Sequence, residues 1–224
     1  MNDNILDNKN IGNKILNNIY KNLKIIIITL SFCFILFLSI QFYSFYNLNK
    51  IKKNSIDFFN SQNLEGSNVI KDSIIKLSKE NNFYGLLSKL ELIQFNIENE
   101  NLDDVINLYN EILKNEKLDT IYKSSIASRA AYQFIDVNLK DLSKNYQETI
   151  KSFINFIDDQ LINFQGTKLE LNYLLIILSL EKNNNEYKNN NDAIDLYNNI
   201  MSSDSVSAMI KERVNKIHEY FSYK

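Results

Sequence analysis

Proline and tryptophan are absent from the 224 residues, and glycine occurs only four times. Turn-rich β proteins need Pro and Gly at their corners, so this composition excludes a sandwich or barrel of short strands. It leaves helices joined by short polar links. Cysteine occurs once, as Cys33, so no disulfide forms within one chain and cysteine usage is silent on the redox compartment. Histidine also occurs once, as His218, and together they make no zinc-ligand set. Gly12, Gly66, Gly85 and Gly166 build neither a Walker nor a Rossmann loop, so no cofactor is expected. Basic charge is scarce where a nucleic-acid binder needs it. Seven of the 25 basic residues and two of the 27 acidic ones precede Asn54, which leaves the rest of the chain at net −7.

Charge is missing altogether from Ile25 to Asn49, a run of 25 residues. A helix over Ile25–Tyr46 spans about 33 Å, enough for a hydrocarbon core of about 30 Å. Ile25, Phe32 and Leu36 lie within it, and Phe42, Tyr43, Phe45 and Tyr46 crowd its C-terminal end, where rings favour the headgroup level. Its hydroxyls, such as Thr29 and Ser39, can bond back to the preceding turn. The run is longer than a cleaved signal's apolar core and has no small-x-small exit, so an uncleaved signal anchor is expected. Four lysines precede it (Lys9, Lys14, Lys21, Lys24) and three follow (Lys50, Lys52, Lys53). That count leans toward an N-terminus inside the cell and the larger domain outside the cytoplasm. The expected organisation is a polar tail over residues 1–24, an anchor over 25–46, connecting helices over 47–81 and a helical domain over 82–224.

Helical periodicity runs through the remainder. Ile51, Ser55, Phe58 and Phe59 share a face, Val69–Leu77 marks another helix and Leu86–Ile97 a third. The next reads Asp104-Val-Ile-Asn-Leu-Tyr-Asn-Glu-Ile-Leu113, and six of its ten positions recur 88 residues later in Asp192-Ala-Ile-Asp-Leu-Tyr-Asn-Asn-Ile-Met201. Midway stands Glu148-Thr-Ile-Lys-Ser-Phe-Ile-Asn-Phe-Ile157, 44 residues from each. Val105, Thr149 and Ala193 align, as do Tyr109, Phe153 and Tyr197, then Ile112, Phe156 and Ile200. Offsets of four and seven place each set on one helical face. An apolar helix precedes every copy, over Leu86–Ile97, Ile121–Val137 and Leu169–Leu180. The spacing predicts an all-α solenoid of helix pairs, capped by a helix from Ser205 through Tyr220.

Candidate chemistry is thin. His218, between Lys216 and Glu219, reads as a solvated helix position. Asp103 and Asp104, behind Asn101, read as compensation of a helix dipole, and Asp158 and Asp159 as a solvated helical face. Ser73-Ile-Ile-Lys76 has only the bare spacing of a Ser-x-x-Lys motif. Tyr109, Phe153 and Tyr197 read as core residues packing the two helices of a unit, rather than the lining of a peptide groove. Arg129, one of two arginines, is equally suited to a partner carboxylate or to an intrahelical pair.

A small residue with an aromatic four positions on resembles the second helix of a tetratricopeptide repeat. The chain departs from that pattern at the bulky Ile112, Phe156 and Ile200, and in a unit of 44 residues where the family has about 34. With its single anchor, the whole resembles the bacterial ancillary SecYEG translocon subunit family. The resemblance rests on Phe83-Tyr-Gly-Leu-Leu-Ser-Lys-Leu-Glu-Leu, on Asn101-Leu-Asp-Asp-Val-Ile-Asn-Leu-Tyr and on Ile126-Ala-Ser-Arg-Ala-Ala131. It implies a non-catalytic scaffold or chaperone-like role at the bacterial inner membrane, with the domain in the periplasm. The implied partners are the lipid bilayer, translocon subunits, chaperones and secreted clients. An adaptor in envelope assembly or cell division has the same architecture with other partners, and an enzyme accessory or membrane hydrolase is the third alternative.

Overall fold

A computed structural model describes residues 20–62, 67–183, 187 and 190–223, with the side chains of 67–70 excepted. The expected tail lies outside the described residues as far as residue 19. So do residues 184–186 and 188–189 of the Asn-rich link. Among the described residues the structure is all-helical, and the chain divides into two compact units, one ending at Ser73 and one running from Ile74.

The first unit is dominated by α1, Leu23–Gln62, 40 residues without a break. Nothing in its sequence stops a helix, since Pro is absent and apolar residues give way directly to Lys50, Lys52 and Lys53. From Leu23 to Tyr46 no residue is buried, so the segment offers apolar side chains on all sides. Thr29 Oγ1 donates to the Ile25 carbonyl at 2.9 Å and Ser39 Oγ to that of Ile35 at 2.8 Å, so those hydroxyls need no outside partner. Farther along, Asn54, Phe58 and Ser61 form a buried stripe at offsets of four and seven. The helix therefore changes character near Lys50: apolar all round before it, one-faced after it.

Seven of the helices that follow α2 (Ser67–Ser78) carry the second unit: α3 (Phe83–Glu98), α4 (Leu102–Leu113), α5 (Thr120–Lys140), α6 (Gln147–Asn155), α7 (Ile162–Asn183), α8 (Asn191–Ser202) and α9 (Ala208–Tyr223). From α4 onward each packs on the helix before it in the chain, and α5 also packs on α7, and α7 on α9. Short polar caps set the boundaries. Asn82 Oδ1 accepts from the Tyr84 and Gly85 amides, Asp119 Oδ1 from Ile121 and Asn190 Oδ1 from Ala193. Asn101 precedes α4 without a side-chain capping bond, and Asp103 and Asp104 sit exposed in its first turn.

Small residues bring α5 to the middle. Ala127, Ala130 and Ala131 are wholly buried and let α4, α6 and α7 approach its backbone. One core cluster gathers Val105, Tyr109 and Ile112 of α4 with Phe134 of α5, Phe153 of α6 and Leu171 of α7. A second gathers Tyr173 and Ile177 of α7 with Ala193, Ile200 and Val214. Helix α7 is thus apolar on two faces and serves as the wall between them.

Two turns show what closes this packing. After α3, Glu100 takes φ 59°, its amide bonds to Ile97 O at 3.0 Å, and the Asn101 amide reaches back to Asn96 O at 2.8 Å. This is a Schellman ending with glutamate where glycine fits best. Ahead of α3, a Cβ on Gly85 would stand 1.8 Å from the Glu80 carbonyl oxygen, so the close approach there demands glycine. The two positions predict opposite outcomes in chemical unfolding followed by circular dichroism. Glu100→Gly raises stability by about 1 kcal/mol, and Gly85→Ala lowers it by about 2 kcal/mol.

Candidate functional site

The anchor residues Ile25, Phe32, Leu36, Phe42 and Tyr46 all stand exposed on α1. One helix near the N-terminus is long and apolar enough to cross a membrane, with mean hydropathy 2.6 over its most apolar window.

The aligned faces fare differently in each copy. Val105, Tyr109 and Ile112 are buried, as are Ala193 and Ile200, while Tyr197 is half-buried. In the middle copy the stripe is turned. Ile150, Phe153, Ile154 and Ile157 are buried, and Thr149 and Phe156 are half-buried. Helix α6 is only nine residues long and Phe156 is already its C-cap, so the face drawn by 44-residue alignment outruns the helix. Tyr109 and Phe153 meet edge to face at 5.7 Å, and Phe134 packs on Phe153 at 5.8 Å. Tyr197 belongs to the other cluster, stacked on His218 at 3.8 Å.

Arg129 is exposed on α5 and makes no hydrogen bond or ion pair among the described residues. Its charge reaches Tyr109, whose hydroxyl donates to Gln133 Oε1 at 2.8 Å. Burial raises the Tyr109 hydroxyl above the ordinary phenol range and Arg129 works against it.

Two expectations need correction. Asp158 and Asp159 do not lie on a helix; they occupy the turn between α6 and α7. The Asp158 amide donates to Ser124 Oγ at 3.1 Å, and its carboxylate accepts from the Gln160 amide at 2.9 Å. Lys168 pairs with Asp159 and donates to Ile157 O at 2.9 Å, which ties the turn to α7. His218 is not simply solvated either. It is half-buried, its Nδ1 lies 2.7 Å from the Tyr187 hydroxyl, and that hydroxyl lies 2.9 Å from that of Tyr173.

The most consequential cluster surrounds Glu170 on α7, whose side chain is 2 % exposed. Tyr132 of α5 donates to Oε2 at 2.6 Å. Arg213 of α9 closes a two-pronged bond, Nε to Oε1 at 2.8 Å and a terminal nitrogen to Oε2 at 2.6 Å. A buried carboxylate needs such donors, because desolvation otherwise costs several kcal/mol. Burial, then the bond to Glu170, drives the Tyr132 hydroxyl up, and the same carboxylate raises Arg213. Sequence reasoning passed over this clamp. Its signal was a lone glutamate between Leu169 and Leu171 in an apolar stretch, with the second of two arginines 43 residues on.

An open cleft of about 320 Å³ lies where the start of α3 meets the α4–α5 turn. Phe83 and Tyr122 stand exposed beside it, Leu86 and Leu118 form part of its apolar lining, and Asn82 and Asn115 supply amides. An adjoining hollow carries the Lys89–Glu111 ion pair, 2.6 Å long. Among the described residues no group of three or more His, Cys, Asp or Glu is placed to hold a metal ion. No protein family, curated protein or solved structure matches the chain.

The clamp makes a stability prediction. Breaking a fully buried pair costs about 3–5 kcal/mol, but the Arg213 side chain is 48 % exposed and water screens the pair. Glu170→Gln is expected to lower unfolding free energy by about 2 kcal/mol, and Tyr132→Phe by about 1–2 kcal/mol. Adding Arg213→Met to Glu170→Gln recovers part of the loss in a double-mutant cycle.

Proposed function

We propose that this protein is a membrane-anchored, non-catalytic helical scaffold that engages other proteins. On this reading it works at the inner membrane of a bacterium beside the protein-export translocon, with its helical domain outside the cytoplasm. The observation that carries it is an architecture in two parts. One apolar helix is suited to a bilayer, and it is followed by helices that pack mainly on their chain neighbours. Serial packing of this kind is the plan of α-solenoids, whose units bury their apolar faces against one another and leave extended surfaces for partners. The spacing of Val105–Tyr109 and Ala193–Tyr197, and the wholly buried Ala127, Ala130 and Ala131, favour a tetratricopeptide-like version of that plan.

Binding in this scheme is display rather than chemistry. The anchor holds the domain close to a membrane complex and raises its effective concentration there. The cleft beside Phe83 and Tyr122 offers apolar surface to a client side chain, and the amides of Asn82 and Asn115 offer hydrogen bonds to its backbone.

Photo-crosslinkers placed at Phe83 and Tyr122 in cells are expected to capture translocon subunits or exported clients. Phe83→Ala combined with Tyr122→Ala should cut capture from a crosslinker at Leu118 about tenfold, about 1.4 kcal/mol. Capture of division or envelope-assembly proteins alone would sink the export reading and leave the scaffold one standing. Orientation has its own check. With Cys33→Ser as background, Met209→Cys should react with an impermeant maleimide from outside the cytoplasmic membrane; Met209 is well exposed on α9. Reaction only from the cytoplasmic side refutes the topology.

A further inference from the structure

We infer that this chain pairs with a second copy of itself through α1, as two parallel helices joined by reciprocal hydrogen bonds between their Gln41 carboxamides. The inference rests on reading α1 as a membrane-spanning helix. It depends neither on which side the domain faces nor on which partner the scaffold takes.

The polar side chains of the span do not all look after themselves. Thr29 and Ser39 bond back to their own helix. Gln41 is exposed and makes no hydrogen bond among the described residues. Its carboxamide carries an N–H₂ donor and an acceptor oxygen, and lipid tails offer a partner to neither. Gln41 stands five residues before Tyr46, about 7–8 Å inside the end of the span. A helical side chain leans toward the N-terminus of its helix. Here that carries the amide toward the middle of the bilayer and away from the nearer headgroups. Phe42, Tyr43, Phe45 and Tyr46 crowd the way out.

A carboxamide is its own complement. A second copy in the same orientation presents the same donor and acceptor at the same depth, so each Gln41 donates N–H to the other's oxygen across a twofold axis. The face around Gln41 also continues where lipid no longer dictates apolar side chains. Positions spaced alternately by three and four residues run Phe34, Phe37, Gln41, Ser44, Leu48 and Ile51, the spacing of two parallel helices packed along a seam. Inside the span nearly every face is apolar; past Tyr46 the faces differ. Leu48 and Ile51, 64 % and 42 % exposed, fall on the Gln41 face with Lys52 at its border, and Lys50 and Lys53 fall on the opposite one. Farther along the same spacing Phe58 is already buried, so the open seam ends near Ser55. Lipid tails solvate an apolar side chain as well as another helix does. The amide pair, rather than the apolar seam, therefore holds the copies together.

The test is disulfide trapping of the full-length protein in native membranes under mild oxidation, on a Cys33→Ser background. Leu48→Cys and Ile51→Cys should each give a dimer, and Lys50→Cys and Lys53→Cys about tenfold less of it. Gln41→Leu should cut the Leu48→Cys dimer about fivefold, about 1 kcal/mol. Leucine suits lipid at that position, so the loss is not one of insertion or folding. Gln41→Asn keeps a carboxamide and should keep most of the dimer. Equal trapping from all four cysteines, a dimer undiminished by Gln41→Leu, or an adduct with a different protein in its place overturns the pairing. Alkaline extraction of the same membranes tells the two readings apart. Protein that stays with the bilayer as a monomer refutes the pair alone, and protein released into solution refutes the anchor as well.

Discussion

A carboxylate cannot be taken out of water without donors, and the second unit buries one at its centre. Glu170 is satisfied only when α5 brings Tyr132 and α9 brings Arg213 to the same point. Apolar packing alone tolerates sliding, because leucine against leucine is nearly as good one position along. A two-pronged guanidinium bond is not so tolerant. The clamp therefore sets the rotation of α7 between its neighbours, and both core clusters share that helix as a wall. Tyr132, Glu170 and Arg213 are separated by 38 and 43 residues, close to the spacing of the helical pairs. One carboxylate thus links α5, α7 and α9.

Around that point the polar groups act as fasteners rather than reagents. Asn138 is fully buried, donates to Lys144 O and accepts from the Tyr146 amide, and so folds the link into α6. Ser124 holds the Asp158 turn, and the Tyr187 hydroxyl meets His218 of α9. The aromatic residues likewise serve the core, as in the Tyr109–Phe153 and Phe134–Phe153 contacts. Of the rings left exposed on the second unit, Phe83 and Tyr122 border the open cleft and Tyr220 and Tyr223 stand on α9. That division of labour suits the proposed scaffold: polar chemistry is consumed in fastening helices, and apolar surface is left open beside the cleft.

Much of this was legible in the chain. Loss of proline and glycine foretold helices, because nothing else closes with so few turn formers. The uncharged run foretold a helix apolar on every side, and α1 is one from Ile25 to Tyr46. The periodicities at Leu86–Ile97, Asp104–Leu113 and Asp192–Met201 each fell within a helix, since 3.6-residue spacing is a local property. Alignment by 44 residues placed Phe153 well, then failed at Phe156, because it carries no information about where a helix stops. The same limit put Asp158 and Asp159 on a helix when a serine from α5 holds them in a turn.

Local composition, then, determined the helices, the apolar span and the lack of charge that a bilayer demands. Those depend on residues within a few turns of one another. Tertiary structure alone decided that Glu170 meets Arg213, that His218 meets Tyr187, and that Tyr109 meets Phe153 while Tyr197 does not. Each joins side chains from different helices, and its geometry depends on helix rotation and packing distance. A lone glutamate between two leucines signals that a partner must exist. Only the packed helices say which one.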